Sequence, residues 1–184
     1  MNSDNYVEDM TYKEISKKLA YNGRRIKVEE LEYLNGDKLI YREHVKAGSA
    51  SVILPITEND EVIMIRETRT PIGKLVTSLP AGMIEEGEEA EKAAIRELEE
   101  ETGYKAERIE FLREYYSSIG YTDEKVKIYL ATNMKKTQQH LDEEEDIEVV
   151  KIPIEKMIDF LEENTIKDAS TTIALMHYLI YKRK

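Results

Sequence analysis

Glu97, Glu100 and Glu101 decide where the chemistry of this chain can sit. Residues three and four apart are neighbours on a helix, so a helix would project all three carboxylates from one face. Like charges so placed repel by about a few tenths of a kcal/mol per pair. A hard cation such as Mg²⁺ removes that cost, because it prefers oxygen ligands. Arg96 can bridge Glu100 at i, i+4 or reach back to Glu88, its fixed charge holding carboxylates in position. Gly82 and Gly87 allow a tight loop that brings backbone oxygens, such as that of Ala81, close to a metal. Taken alone, a Glu-x-x-Glu-Glu cluster reads as a solvated helix face. With both glycines, Glu88 and Arg96 in register, it reads as a cation site.

Written out, the segment runs Gly82, five residues, Glu88, seven residues, Arg96-Glu97-Leu98, one residue, Glu100-Glu101, one residue, Gly103-Tyr104. This resembles the Nudix box, G-x5-E-x7-R-E-U-x-E-E-x-G-U with U a bulky apolar residue, at every fixed position. The resemblance makes Gly82, Glu88 and Gly103 the structural members of the box. It implies Mg²⁺, with Mn²⁺ as an alternative, on the Ala81 carbonyl, Glu97 and Glu101, and it places Glu100 and Arg96 in the catalytic set. The box itself contains no general base. The acidic run Glu143-Glu144-Glu145-Asp146 is by composition a solvated loop. In the ADP-ribose branch of the family, a glutamate pair just before a late strand supplies a base and a further ligand. Matching Glu-x-Glu-Asp-Ile selects Glu143 as base and Glu145 as ligand.

The flanks resemble ADP-ribose pyrophosphatases from about residue 11 to residue 181. Arg42-Glu43-His44-Val45 precedes Gly48-Ser49-Ala50-Ser51-Val52, followed by Arg66-Glu67-Thr68-Arg69 and Leu79-Pro80-Ala81-Gly82-Met83-Ile84-Glu85. Ser118-Ile119-Gly120-Tyr121-Thr122-Asp123-Glu124 is similar to that branch's S-P-G-F-S-D-E, with Ile119 where proline is usual, so the loop lacks the ring that fixes φ. The implied reaction takes ADP-ribose to AMP and ribose 5-phosphate. Alternatives are a Nudix hydrolase of nucleotide sugars or other nucleoside diphosphate compounds, and a non-catalytic nucleotide sensor on the same fold. Arg42 and Arg69 are candidates for contacting phosphate or adenine, since guanidinium binds phosphate bidentately and stacks on rings. Gly82 and Met83 join them as substrate-binding positions. His44, His140 and His177 share no metal-ligand spacing.

The elements that must position these residues are those of an α/β chain. Residues 11–46 are strand-like, with Asn35-Gly36 as a hairpin turn. Residues 51–56 and 61–66 are Val- and Ile-rich strands joined through Glu58-Asn59-Asp60, and residues 74–79 are a weaker strand that Pro80-Ala81-Gly82 ends. A helix is predicted over residues 90–101, with Ala90, Ala94, Ile95 and Leu98 as its apolar stripe and Gly103 as its stop. Further strands are predicted over residues 109–116, 125–131 and 147–152. Pro153 opens a helix to about Glu162, and residues 168–181 form a terminal helix with Ile173, Leu175, Met176, Leu179 and Ile180 available for burial. This order suggests a mixed sheet with helices packed on it. The family resemblance implies an α/β/α sandwich over residues 48–184. It also implies an antiparallel β unit over residues 1–47 that builds a homodimer.

Composition excludes other classes. The 184 residues carry a net charge of −11, which disfavours broad binding to nucleic acid or anionic membrane. The same excess raises the question of how phosphates would be tolerated, and a bound divalent cation answers it. With no cysteine, disulfides, thiolate zinc sites and cysteine nucleophiles are excluded, and a cytoplasmic location is compatible. Residues 1–10 read as a polar tail without the basic and apolar regions of a signal peptide, and no apolar run reaches membrane-span length.

Overall fold

The computed structural model describes residues 10–163 and 166–181, so most of the tail expected over residues 1–10 lies outside them. The chain forms two compact units, one from Met1–Gly48 and Tyr116–Glu124, the other from Ser49–Tyr115 and Lys125–Lys184.

The first unit is an antiparallel meander of β1 (Lys13–Asn22), β2 (Lys27–Asn35) and β3 (Lys38–Lys46). Asn35 pairs with Lys38, so the hairpin loop is Gly36-Asp37 rather than Asn35-Gly36. Gly36 adopts φ 61°, and Asn35 stays in the strand with ordinary negative φ. The sequence placed the turn one residue early because Asn-Gly satisfies a two-residue turn as well as Gly-Asp does. Tyr33 pairs with Ile40 on the face that carries Leu31, and these three are the buried cluster of the unit. Residues 116–124 join β3 through Val45 N–H donating to the Tyr121 carbonyl at 2.7 Å and Thr122 Oγ1 donating to the Val45 carbonyl at 2.7 Å.

The second unit contains β4 (Ser49–Pro55), β5 (Glu61–Arg69), β6 (Lys74–Ser78), β7 (Ala81–Met83), α1 (Ala90–Thr102), β8 (Tyr104–Tyr116), β9 (Lys125–Lys136), β10 (Glu148–Pro153), α2 (Ile154–Glu162) and α3 (Ala169–Tyr181). The mixed sheet has the order β7-β4-β9-β8, with β4 parallel to β9 and antiparallel to β7. A second, antiparallel sheet has the order β10-β5-β6. The turn after β4 therefore passes the chain from one sheet to the other, and Asp60 takes φ 55° to do so. Pro80-Ala81-Gly82 does not simply end a strand, because Ala81–Met83 form the short edge strand β7.

Strand β4 is buried on both faces, as strands with parallel neighbours usually are. Val52 and Leu54 join Val62, Met64, Ile128, Leu130, Met157 and Leu175 in the larger core. Ile53 points the other way, to Tyr129, Ala131 and the Ala94 and Leu98 of α1. This puts α1 on one side of the mixed sheet, and α2, α3 and the antiparallel sheet on the other. Leu98 is fully buried, so Leu98→Ala would cost about 2–5 kcal/mol and loosen the helix that carries the glutamates. The buried stripe of α1 is Ala93, Ala94, Leu98, Glu101 and Thr102. Ile95, predicted to be part of it, faces a cleft instead. On α3, Met176 and Ile180 are 48% and 54% exposed, so the burial expected of them does not occur; Thr171, Ala174 and Leu175 are the buried side. That helix is apolar nearly all round, which leaves periodicity no means of choosing its inner face.

Candidate active site

The site begins at the open edge of the mixed sheet. Ile53 N–H donates to the Pro80 carbonyl at 2.9 Å, and Ile84 N–H to the Ser49 carbonyl at 2.9 Å. These bonds alternate along an antiparallel pair, so the peptide groups of Ala81 and Met83 turn outward, away from β4. The outward Ala81 N–H donates to Glu101 Oε2 at 2.9 Å, and the outward Met83 carbonyl accepts from Arg96 Nη2 at 3.1 Å. Strand β7 and helix α1 thus meet through backbone polar groups that the sheet leaves unpaired.

Gly82 sits between those contacts, and its role differs from the turn predicted for it. Its φ is not positive. What it provides is space: a Cβ there would lie 1.9 Å from the Glu97 Cδ and 2.1 and 2.2 Å from its carboxylate oxygens. The Glu97 carboxylate occupies the volume a side chain would fill. Gly87 does use glycine's conformational freedom, at φ 80°, in the turn that delivers Glu88.

Arg96 makes both of the contacts between which its spacing left a choice. Its Nε and Nη2 donate to the two Glu88 oxygens at 3.0 Å each, and Nη1 donates to Glu97 at 2.7 Å and Glu100 at 3.0 Å. A planar fork with five donors can hold three carboxylates and a carbonyl at once. These partners hold the Arg96 proton well above the usual guanidinium range. Glu88 is pulled down to about 2, by Arg96 first and then by the Glu85 N–H.

Glu97 and Glu101 behave oppositely. Burial raises Glu97, against the pull of Arg96, while Glu100 and Glu145 add to the rise. Glu101 is 6% exposed and pushed up to about 8, by burial first, with the negative charges of Glu97, Glu67 and Glu145 adding to it. Two near-buried carboxylates accept one backbone N–H and one guanidinium edge between them, and the other charges acting on them are negative. Such a pair is short of positive charge.

The loop after β9 is pinned to the end of α1. Thr137 N–H reaches the Gly103 carbonyl at 2.7 Å, His140 N–H the Glu100 carbonyl at 2.9 Å, and Gln139 Nε2 the Glu101 carbonyl at 2.7 Å. Gly103 caps the helix at φ 68° and leaves only 3.0 Å between a would-be Cβ and the Gln139 nitrogen. Glu145 closes a turn in this loop through the Asp142 N–H at 3.1 Å, and its charge is felt at both Glu97 and Glu101. Glu143 is exposed in the same turn.

On β5, Arg69 forms an ion pair with Glu67. Glu67 was not read as a site residue; its negative charge acts on Glu101, a link between β5 and α1 that nothing local in Arg66-Glu67-Thr68-Arg69 reveals. Gln139 carried no signal in the sequence at all. Arg42 belongs to the first unit, in a cleft of about 780 Å³ with Tyr41, Glu43 and Tyr121, and its Nη1 donates to the Tyr41 carbonyl at 2.7 Å. The Met83 side chain is 47% exposed, and its backbone is what the site uses.

Among the described residues, no three acidic or histidine side chains already converge as a metal cage. Arg96 takes one side of Glu97, and backbone N–H groups hold Glu101 and Glu145. The donor set nevertheless suits a hard divalent cation. Glu97 and Glu101 are oxygen donors short of positive charge, and the Ala81 carbonyl projects from the same sheet edge as the N–H that touches Glu101.

A family model described as NUDIX domain matches residues 46–175, and the chain belongs to the Nudix family. It is 35% identical over 175 residues to an ADP-ribose pyrophosphatase of Bacillus subtilis (strain 168), covering 93% of this chain and 94% of that one. It is 32% identical over 169 residues to a methanol dehydrogenase activator of Bacillus methanolicus, covering 90% and 91%. A crystal structure of an ADP compounds hydrolase superposes with a TM-score of 0.84 at 24% identity, covering 95% of this chain and 96% of that one, which establishes the shared fold.

Proposed function

We propose that this protein hydrolyses the pyrophosphate bond of a nucleoside diphosphate derivative, with ADP-ribose as substrate and AMP and ribose 5-phosphate as products. The observation that carries this is the seating of the Glu97 carboxylate in the space left by Gly82, beside the buried Glu101 and the outward Ala81 carbonyl. The substrate follows from the relative of Bacillus subtilis named ADP-ribose pyrophosphatase, similar over nearly the whole chain. Mg²⁺, or Mn²⁺ in its place, would be held by Ala81, Glu97, Glu101 and Glu145. Bound there, it would offset the charge of the pyrophosphate oxygens and acidify a water molecule.

The chain's own groups do the rest. Arg96 holds Glu88, Glu97 and Glu100 in fixed positions, so Glu97 need not reorganise during reaction. Glu143 takes the proton from water as the water oxygen attacks phosphorus. The bridging P–O bond breaks, and the leaving phosphate carries its charge toward Arg69. Gly82, Met83 and Arg42 are the further substrate-binding positions in this reading, Arg42 for phosphate or adenine. Residues 1–47 act as a dimerisation unit for a homodimer, the domain residues 48–184 carry the chemistry, and the enzyme works in the cytoplasm. No helix among the described residues is long and apolar enough to cross a membrane.

The deciding experiment is a substrate panel with Mg²⁺: ADP-ribose, ADP-glucose, GDP-mannose, NADH, diadenosine polyphosphates and dNTPs. Turnover should be greatest on ADP-ribose, and Glu97→Gln should lower it by orders of magnitude with the fold intact. No phosphomonoester from any of these compounds would sink the proposal.

A further inference from the structure

Leu79 and Pro80 carry the chain from β6 of the antiparallel sheet to β7 of the mixed sheet. At this crossing, three successive residues are held by three different elements. The Leu79 N–H donates to Thr171 Oγ1 of α3 at 3.0 Å. The Pro80 carbonyl accepts from Ile53 of β4 at 2.9 Å, and the Ala81 N–H donates to Glu101 of α1 at 2.9 Å. Thr171 is fully buried, and its own N–H donates to Asp168 Oδ2 at 2.7 Å, so the first turn of α3 fixes it. Ala174 and Leu175 seat the same helix in the larger core. Pro80 has a fixed φ and confines Leu79 to extended conformations. Few soft torsions therefore lie between the Leu79 N–H and the Ala81 carbonyl, and a shift at one is passed to the other.

We infer that Thr171 is a positioning residue of the cation site, its hydroxyl setting the Ala81 carbonyl through Leu79 and Pro80. Helix α3 packs on the opposite side of the mixed sheet from α1, yet it holds the segment that α1 holds through Glu101. Without the hydroxyl, the Leu79 N–H is a buried donor lacking an acceptor, and the segment shifts to pair it. The Ala81 carbonyl moves with the segment, and a cation on Glu97 and Glu101 then finds that ligand out of place. The inference rests on Ala81, Glu97 and Glu101 being the cation site proposed above.

The test is binding of Mn²⁺, followed by the paramagnetic resonance of the free ion, to wild type, Thr171→Val, Thr171→Ser and Glu97→Gln. Thermal melts of the metal-free proteins accompany it. Valine keeps the size of threonine and loses the acceptor; serine keeps the acceptor and loses a buried methyl group. Both variants should melt below wild type. Cation affinity should instead follow the acceptor. Thr171→Val should bind Mn²⁺ about tenfold more weakly, the low end of what a lost outer-shell partner costs. Thr171→Ser should stay within about twofold of wild type. A role confined to stability predicts affinity that follows the melt or does not change. The inference is overturned if Thr171→Val binds within about twofold of wild type, or if Thr171→Ser is weakened as much as Thr171→Val. Should Thr171→Val not fold, Thr171→Cys replaces it, because sulfur accepts only weakly, and the same ordering against serine is expected. If wild type does not bind Mn²⁺, or Glu97→Gln binds it equally well, the proposed cation site fails and takes this inference with it. If Glu97→Gln alone loses affinity, the site stands and the inference falls.

Discussion

Gly82→Ala tests the site with one methyl group. The new Cβ would stand 1.9 Å from the Glu97 Cδ, and ordinary contact begins near 3.4 Å, so the carboxylate must retreat by about 1.5 Å. It can retreat, because it is the end of a flexible side chain, and the backbone at Gly82 is extended and accepts alanine. The fold should therefore survive, with Tm within roughly 3 °C of wild type, the shift of an effect under about 1 kcal/mol. Chemistry should not survive so well. A displacement of about 1 Å at a reacting group costs on the order of 10²-fold, and this one exceeds it. The assay is steady-state release of AMP from ADP-ribose with Mg²⁺, beside a thermal melt. A fall in kcat of about 10²-fold with an unchanged melt is the expected result. Turnover within about threefold of wild type would show that the position of Glu97 beside Gly82 does not matter, and the account of the site would be wrong.

Replacing Arg96 by lysine keeps a charge but loses the fork that spans Glu88, Glu97, Glu100 and the Met83 carbonyl. The cost should be about 2 kcal/mol, seen as a Tm fall of roughly 4–8 °C, and an unchanged melt would contradict the hub. Glu101 predicts a pH dependence. Its pKa is raised from 4.5 to about 8 in the folded chain, so the folded state holds the proton more tightly than the unfolded one. The stability this contributes is complete below 4.5 and is lost as pH rises through about 8. Metal-free protein should melt lower above pH 8 than at pH 6, Mg²⁺ should restore the loss, and Glu101→Gln should flatten the profile; a wild-type melt insensitive to pH in EDTA would refute it. In the loop after β9, Glu145→Gln should raise the Mg²⁺ concentration needed for half-maximal rate, because the Glu145 charge reaches Glu97 and Glu101. Glu143→Gln should instead lower kcat about 10²-fold at unchanged Mg²⁺ requirement, and the reverse pattern would exchange the two assignments.

Local spacing determined a great deal. The approach of Glu97, Glu100 and Glu101 and the reach of Arg96 follow from 3.6 residues per turn, and the stop at Gly103 follows from glycine's access to positive φ. The same holds for the helices and most strands of the second unit. The limits appear where distant segments meet. Nothing local distinguishes Ile95 from Ala93 as the buried residue, because the side of α1 that faces the sheet is set by β4 and β9. Gly82 was legible as a glycine the site needs, yet the reason lies in the Glu97 carboxylate, fifteen positions away, occupying its side-chain space. Asn35-Gly36 and Gly36-Asp37 serve a hairpin equally well, and the pairing of β2 with β3 chose between them.

By itself, then, the sequence determined which acidic groups exist and which of them a helix must bring together, since those distances depend only on the geometry of one element. Tertiary structure decided which of these carboxylates are stripped of water. It buried Glu101 against the Ala81 N–H while leaving Glu100 at the surface beside Arg96, although both sit on the same turn. It also brought Glu67 of β5 into the field of Glu101 of α1. Charge is written residue by residue, but its energy depends on what surrounds it, and only the packing of sheet against helix supplies that.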